Sequence, residues 1–230
     1  MLFSHNLCNN NNKPFLSWIV MFNASFHMFQ SFHMFQSFIC FKVSYFIWKP
    51  AMTSSVVGLR RSSNVFPKAR SAPKKVMVTV WWSAAFLIHY SFLNAGKTIT
   101  FERYAQQINE MHRKLQHPQP ALGNRMGPVL LHDNVRLHIL QPMLQKLNEL
   151  GYEVWPFPPY SPDLLPTDYH FFKHLDNFLL GKHFHNQQEA ENAFPEFTES
   201  QSMDFYATGI NKLVSCWQKC VDCNGAYSDE

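Results

Sequence analysis

The first acidic side chain in this chain is Glu102. Residues 1–101 carry ten Lys or Arg and no Asp or Glu, whereas the remainder carries ten basic and 16 acidic residues, a balance of −6. The overall charge of +4 therefore averages two differently composed pieces. This division limits what each piece can do. A segment without carboxylates forms no internal ion pairs and offers no carboxylate to a hard cation, so acid–base or metal chemistry of that kind must draw on residues from Glu102 onward.

The N-terminal piece is aromatic and repetitive. Ten of the 22 phenylalanines fall in the first 50 residues, Asn9 to Asn12 form a run, and SFHMFQ at 25–30 is copied at 31–36. Two short copies fall below the roughly three units that a stacked repeat array needs, so the repeat reads as a local duplication. The apolar stretch Phe15–Phe22 after Lys13 is similar to a short secretory core, but no small-residue cleavage site follows it. With five cysteines, an odd number, a disulfide framework is not expected. No run of about 18 apolar residues occurs, so no membrane span is expected and an intracellular location, nuclear or cytoplasmic, is. Residues 38–48 (FICFKVSYFIW) have the composition of a buried strand. Residues 49–75 contain Pro50, Pro67 and Pro73 with several serines and read as a linker. Arg60, Arg61, Lys68, Arg70, Lys74 and Lys75 within it can touch phosphates or simply form a solvated tail.

From residue 74 the local signals agree with one another. Val76, Val78, Val80 and Trp82 alternate along one strand, and Ile88, Tyr90 and Phe92 along a second; the short gap Ser83–Phe86 predicts a hairpin. Phe101, Tyr104, Ala105, Ile108, Met111 and Leu115 have helical spacing behind Thr100 as N-cap. Pro128–His132 reads as a short buried strand ending at Asp133. Residues 139–150 read as an amphipathic helix stopped by Gly151, and Tyr152–Phe157 as another strand. A proline-rich turn follows, then a helix opened by Asp168, and further helices over 187–199 and 203–221. This order predicts an α/β fold, a mixed sheet flanked by helices.

Two aspartates stand out. Asp133 ends one strand and Asp168 begins the helix after the next, and in open α/β sheets functional groups gather beyond strand C-termini. Paired carboxylates repel unless a cation lies between them, and hard oxygen ligands suit Mg²⁺ or Mn²⁺. Two such ions can clamp the attacking and leaving oxygens of a phosphodiester. The plain alternative is that Asp168 caps its helix while Asp133 or Asn134 starts the next one. His132 and His138 flank Asp133 and either orient it or pack in the core. Cys216, Cys220 and Cys223 lack a fourth ligand in a zinc pattern, and Cys216 and Cys220, four apart beside Trp217, read as core. Trp81, Trp82, Trp155 and Trp217 read as core as well.

The blocks around these aspartates are specific. HDNVRLH at 132–138, YSPDLLP at 160–166 followed by Thr167-Asp168-Tyr169, VMVTVWWSA at 76–84, LQKLNELGYEV at 144–154 and FHNQQEAENAF at 184–194 occur in this order. Together they closely resemble mariner-type transposases over residues 74–228. The resemblance implies an RNase H-like fold and the class of DNA transposition and integration. In that family three acidic residues hold two divalent ions that cut and join DNA. Asp133 matches the second acidic position and Asp168 the third, while Asp163 falls in a structural turn.

The resemblance also brings expectations of loss. The family's first catalytic aspartate lies on a strand before the VMVTVWW block, where this chain has no carboxylate. The expected fold is therefore an RNase H-like sheet incomplete at its first strand, spanning 74–228 behind a poorly ordered 1–73 leader, with residues 38–48 as the candidate replacement strand. The expected catalytic and metal positions are Asp133 and Asp168 alone, with Mg²⁺ or Mn²⁺ held weakly. Phe86 stands where relatives tend to have Gly, and Leu137 where Pro is usual. Residues 1–73 show no helix-turn-helix pattern. Four readings remain open: a catalytically disabled remnant with weak, non-specific DNA contact; an interaction module that forms a homodimer or pairs with an intact mariner transposase; a nuclease completed by another chain's carboxylate; and a chain with no selected role.

Overall fold

A central strand from the N-terminal piece organises the sheet. In the computed structural model, which describes residues 38–50, 74–94, 96–116, 128–132, 140–155 and 161–223, strand β1 (Phe38–Pro50) lies between β2 (Lys74–Ser83) and β4 (Val129–His132). The sheet order is β3-β2-β1-β4-β5, with β3 at Leu87–Leu93 and β5 at Glu153–Val154. β1 runs antiparallel to β2 from Ile39↔Ser83 to Trp48↔Lys74, and parallel to β4 from Phe38↔Val129 to Phe41↔His132. A short β6 (His183–Phe184) pairs with Lys49 and Pro50 at the far end of β1.

The first strand, expected to be missing, is thus filled, and by the candidate segment. The division at residue 73/74 does not divide the sheet. Residues 1–37, the repeat and the Asn run among them, and the linker 51–73 lie outside the described residues.

Alternation along β1 feeds two cores. Phe38 and Cys40 face one layer, Ile39 and Phe41 the other, and all four are buried. The Cys40 thiol is pushed up well above its ordinary pKa by that burial, as a small apolar group would be. On the Ile39/Phe41 side pack α1 (Phe101–Gln116) and α2 (Gln141–Glu149). Helix α1 buries Tyr104, Gln107, Ile108, Met111 and Leu115, the i, i+3/i+4 stripe of an amphipathic helix. Thr100 Oγ1 accepts the Arg103 N–H at 3.3 Å, as its N-cap reading requires. Phe41 stacks on Trp81 with ring centres 3.9 Å apart, and Trp81 on Tyr104 at 5.9 Å. Phe86, in the hairpin turn, packs half-buried against this layer.

On the Phe38/Cys40 side pack α3 (Lys173–Leu179), α4 (Gln187–Glu199) and α5 (Met203–Asp222). Helix α4 opens with a reciprocal cap. Asn186 Oδ1 accepts the Glu189 N–H at 2.8 Å, and Glu189 Oε2 accepts the His185 N–H at 2.9 Å. Cys216 and Cys220 lie half-buried against this layer, and no disulfide joins the described cysteines. Trp81, Trp82, Trp155 and Trp217 are all buried. Among the described residues no helix is long and apolar enough to cross a membrane.

Gly209 on α5 lies close against two rings of the second layer. A Cβ there would lie 2.5 Å from His170 Cδ2 and 2.8 Å from Trp82 Cη2. Helix propensity favours Ala over Gly by about 1 kcal/mol, but both rings are buried and would have to shift to admit a methyl group. Gly209→Ala is therefore expected to lower stability by about 2 kcal/mol through overpacking. Urea denaturation checks this; a variant as stable as the parent or more so contradicts the packing described.

Candidate active site

Asp168 sits on a short π-helical turn, Thr167–Phe172, that runs directly into α3. The sequence before it explains its placement. Pro162–Leu164 makes a 3₁₀ turn, and Leu164 and Leu165 plunge into the core. Trp217 Nε1 donates to the Leu164 carbonyl at 3.0 Å, tying this turn to α5. Asp163 is half-buried in the turn; burial pushes its carboxyl up while a bond to its own backbone N–H pulls the other way.

The π turn itself is pinned on three sides. Trp82 Nε1 donates to Thr167 Oγ1 at 3.0 Å in a fully buried setting. The Tyr169 hydroxyl donates to the Gly209 carbonyl at 2.8 Å, and burial raises its pKa. His170 Nε2 donates to the Phe205 carbonyl at 2.8 Å. Burial, with His174 beside it, pushes the His170 imidazole down to about 4, so it is neutral at physiological pH. The turn that carries Asp168 is thus held by β2 and by α5 from neighbouring positions, leaving little freedom to the carboxylate between them.

Asp168 does not cap its helix. The helix N-cap is Pro166, without a side-chain capping bond. The carboxylate instead accepts a hydrogen bond from Lys42 Nζ, and the two form an ion pair whose side chains are only 20% and 16% exposed. Lys42 belongs to β1, opposite Val80 of β2 and on the Phe38/Cys40 side by alternation. Its predecessor Phe41 is the last β1 residue paired with β4, opposite His132. Lys42 therefore stands at the step of β1 that follows the end of β4, where the next residue in sequence is Asp133. Asp133 and His138 lie outside the described residues; His132 is buried at the end of β4.

Lys42 was not singled out from the sequence. One signal pointed to it: a lone charge inside the apolar run FICFKVSYFIW, which a buried strand tolerates only with a partner.

The described residues do not fit a pair of divalent ions. Among them no three His, Cys, Asp or Glu side chains cluster in a way that could hold a metal. The Asp168 carboxylate faces an ammonium, whose positive charge repels a metal ion placed beside it.

Residues 52–124 match the family described as "Transposase (partial DDE domain)". The histone-lysine N-methyltransferase SETMAR of Homo sapiens is 75% identical over 164 residues, which are 71% of this chain and 24% of that protein. The Mariner Mos1 transposase of Drosophila mauritiana is 36% identical over 155 residues, 67% of this chain and 45% of that protein. This chain thus spans about a quarter of the first and less than half of the second. The crystal structure of the catalytic domain of Mos1 superposes with a TM-score of 0.78 at 25% identity, covering 96% of this chain and 98% of that one. The Mos1 paired end complex with Mn superposes at 0.79 and 27% identity, covering 96% of this chain and 65% of that one. The fold is the RNase H-like mixed sheet expected from the sequence blocks.

Proposed function

Since this chain belongs to the mariner transposases, as a part of their catalytic domain, we propose that it is a remnant of a DNA-transposition enzyme that neither cuts nor joins DNA strands. The Lys42–Asp168 ion pair carries this reading. Three carboxylates and two divalent ions are the family's expected machinery. Here residues 1–101 contribute no carboxylate at all, and β1 presents a lysine at the step beside the end of β4. A metal-bound oxygen nucleophile must be placed within a fraction of an ångström to react. An acid with a fixed ammonium against it does not hold ions in that way.

What is left to the domain, in this reading, is contact. We assign it weak, non-specific DNA binding that falls steeply with salt, through the basic residues of 60–75. The second partner class is another transposase-type chain, either its own copy or an intact relative. Support for both comes from the fold, which it shares with the Mos1 chains of paired-end complexes. The test is a nicking and strand-joining assay on DNA bearing mariner ends, with Mg²⁺ or Mn²⁺ and an active mariner transposase as positive control. No product above the protein-free background is expected. Cleavage that disappears in Asp133→Ala overturns the proposal.

A further inference from the structure

We propose that Cys220 and Cys223, at the end of helix α5, are a reversible dithiol–disulfide pair, closed by an oxidant of the peroxide class and reopened by a thiol reductant. The pair is independent of any action on DNA.

No disulfide joins the four described cysteines, and they differ in what each can reach. Cys40 is wholly buried at the centre of the sheet, and burial there disfavours the reactive thiolate. Cys216, Cys220 and Cys223 all fall at the C-terminal end of α5 or just past it.

Helix geometry selects among these three. Along an α-helix, Cα atoms seven residues apart stand about 10 Å from each other, and those three or four apart about 5–6 Å. A disulfide spans about 4.4–6.8 Å between Cα atoms, which excludes Cys216 with Cys223. The pairs Cys216–Cys220 and Cys220–Cys223 both meet that limit. Their Cβ atoms, however, start about 5–6 Å apart and must close to about 4 Å, so some backbone must give. Between Cys216 and Cys220 it is held. Both lie inside the helix, and Trp217 between them is buried and donates to the Leu164 carbonyl at 3.0 Å. Cys223 lies past Asp222, the last residue of α5, where helices fray. Its N–H still bonds the Lys219 carbonyl at 3.0 Å, which keeps it one turn beyond Cys220 on the same side of the helix. Closing this pair turns the final residue and stretches that bond, while Trp217 stays in the core. Both thiols are half-buried, within reach of a small oxidant.

The chemistry balances. One thiolate attacks an oxygen of hydrogen peroxide, the O–O bond breaks, the sulfur becomes a sulfenic acid and the other oxygen leaves as water. The second thiol displaces the sulfenic hydroxyl as another water, and the S–S bond forms. Two thiols are thereby oxidised and one peroxide is reduced to two waters. A dithiol reductant reverses the step through a mixed disulfide and returns both thiols.

The experiment uses the full chain. The reduced, folded protein is exposed to equimolar hydrogen peroxide, remaining thiols are blocked with iodoacetamide, and tryptic peptides are weighed. Cleavage after Lys212 and Lys219 places Cys216 on peptide 213–219 and both Cys220 and Cys223 on peptide 220–230. Peptide 220–230 is expected unalkylated and lighter by two hydrogen atoms than its dithiol form, while 213–219 is alkylated. Dithiothreitol added before the block restores two alkylated thiols to 220–230. Cys223→Ser is expected to abolish the internal bond and Cys216→Ser to keep it, and the oxidised parent to retain a cooperative thermal transition. Peptide 220–230 alkylated at both cysteines, joined to 213–219, or oxygenated without an internal bond overturns the proposal. So does a bond that forms only in urea, which would owe nothing to the helix, or one that costs the chain its cooperative unfolding.

Discussion

A chain that starts at Lys74 is expected to be unfolded, while the full chain folds cooperatively. The shorter chain retains every block that resembles a transposase, yet it lacks the centre of its own sheet. Removing β1 takes Phe38, Ile39 and Phe41 from sites where they are essentially inaccessible to water. At about 1.5–3 kcal/mol for each large apolar side chain, the loss is about 5–9 kcal/mol. Domains of this kind have only about 5–15 kcal/mol of net stability. The loss is larger than the side chains alone suggest, since β2 and β4 would each be left with an unpaired edge and both layers would be opened. Far-UV circular dichroism with urea unfolding of residues 74–230 and of the full chain tests this. A cooperative transition in the shorter chain at the midpoint of the full one would show that β1 is dispensable.

Trp82→Ala is expected to have the next largest effect, about 3–5 kcal/mol, the range for emptying an aromatic site in a core. Trp82 has no exposed surface, and its ring lies against His170, Phe171 and Tyr206 at centre distances of 6.4, 5.8 and 6.0 Å. The variant also leaves the buried Thr167 hydroxyl without the indole N–H that now bonds it. Trp82→Phe separates these contributions. It keeps an aromatic ring but not the donor, and about 1–2 kcal/mol is expected, much of it from Thr167. Guanidinium unfolding gives both values. Equal losses in the two variants would mean that the hydrogen bond, not the packing, dominates at this site.

Much of this architecture was legible in the residues because the signals are local. The alternation of Val76, Val78, Val80 and Trp82, the helical stripe of α1 and the Ser83–Phe86 turn are each complete within a dozen or so residues, and each appears where expected. Of the predicted strand 152–157, the described pairing covers Glu153 and Val154, and residues 156–157 lie outside the described residues. The position of β1 was harder to read. Its strand character is written in FICFKVSYFIW, but its place between β2 and β4 depends on a parallel pairing with residues about ninety positions away, and no local pattern encodes such a partner.

The site divides in the same way. Asp168 was visible from its block and position, but its partner Lys42 lies 126 residues away, and no local pattern names it. The π turn was invisible for a different reason. Nothing local in TDYHFF marks the wider winding of Thr167–Phe172, and the bonds that tie it to Trp82 of β2 and to the Gly209 carbonyl of α5 are distant in sequence. Asp133 and His138 lie outside the described residues, so the expectations for them stand as they were.

The alternation of β1 has a wider consequence. Phe38 to Phe41 answer to the two layers they fill, and a change at any of them threatens the whole molecule. Lys42, one step further along, answers to a single distant acid. Packing and charge therefore have separate addresses on one strand, and a substitution at position 42 can alter the charge beside Asp168 while the two layers stay filled.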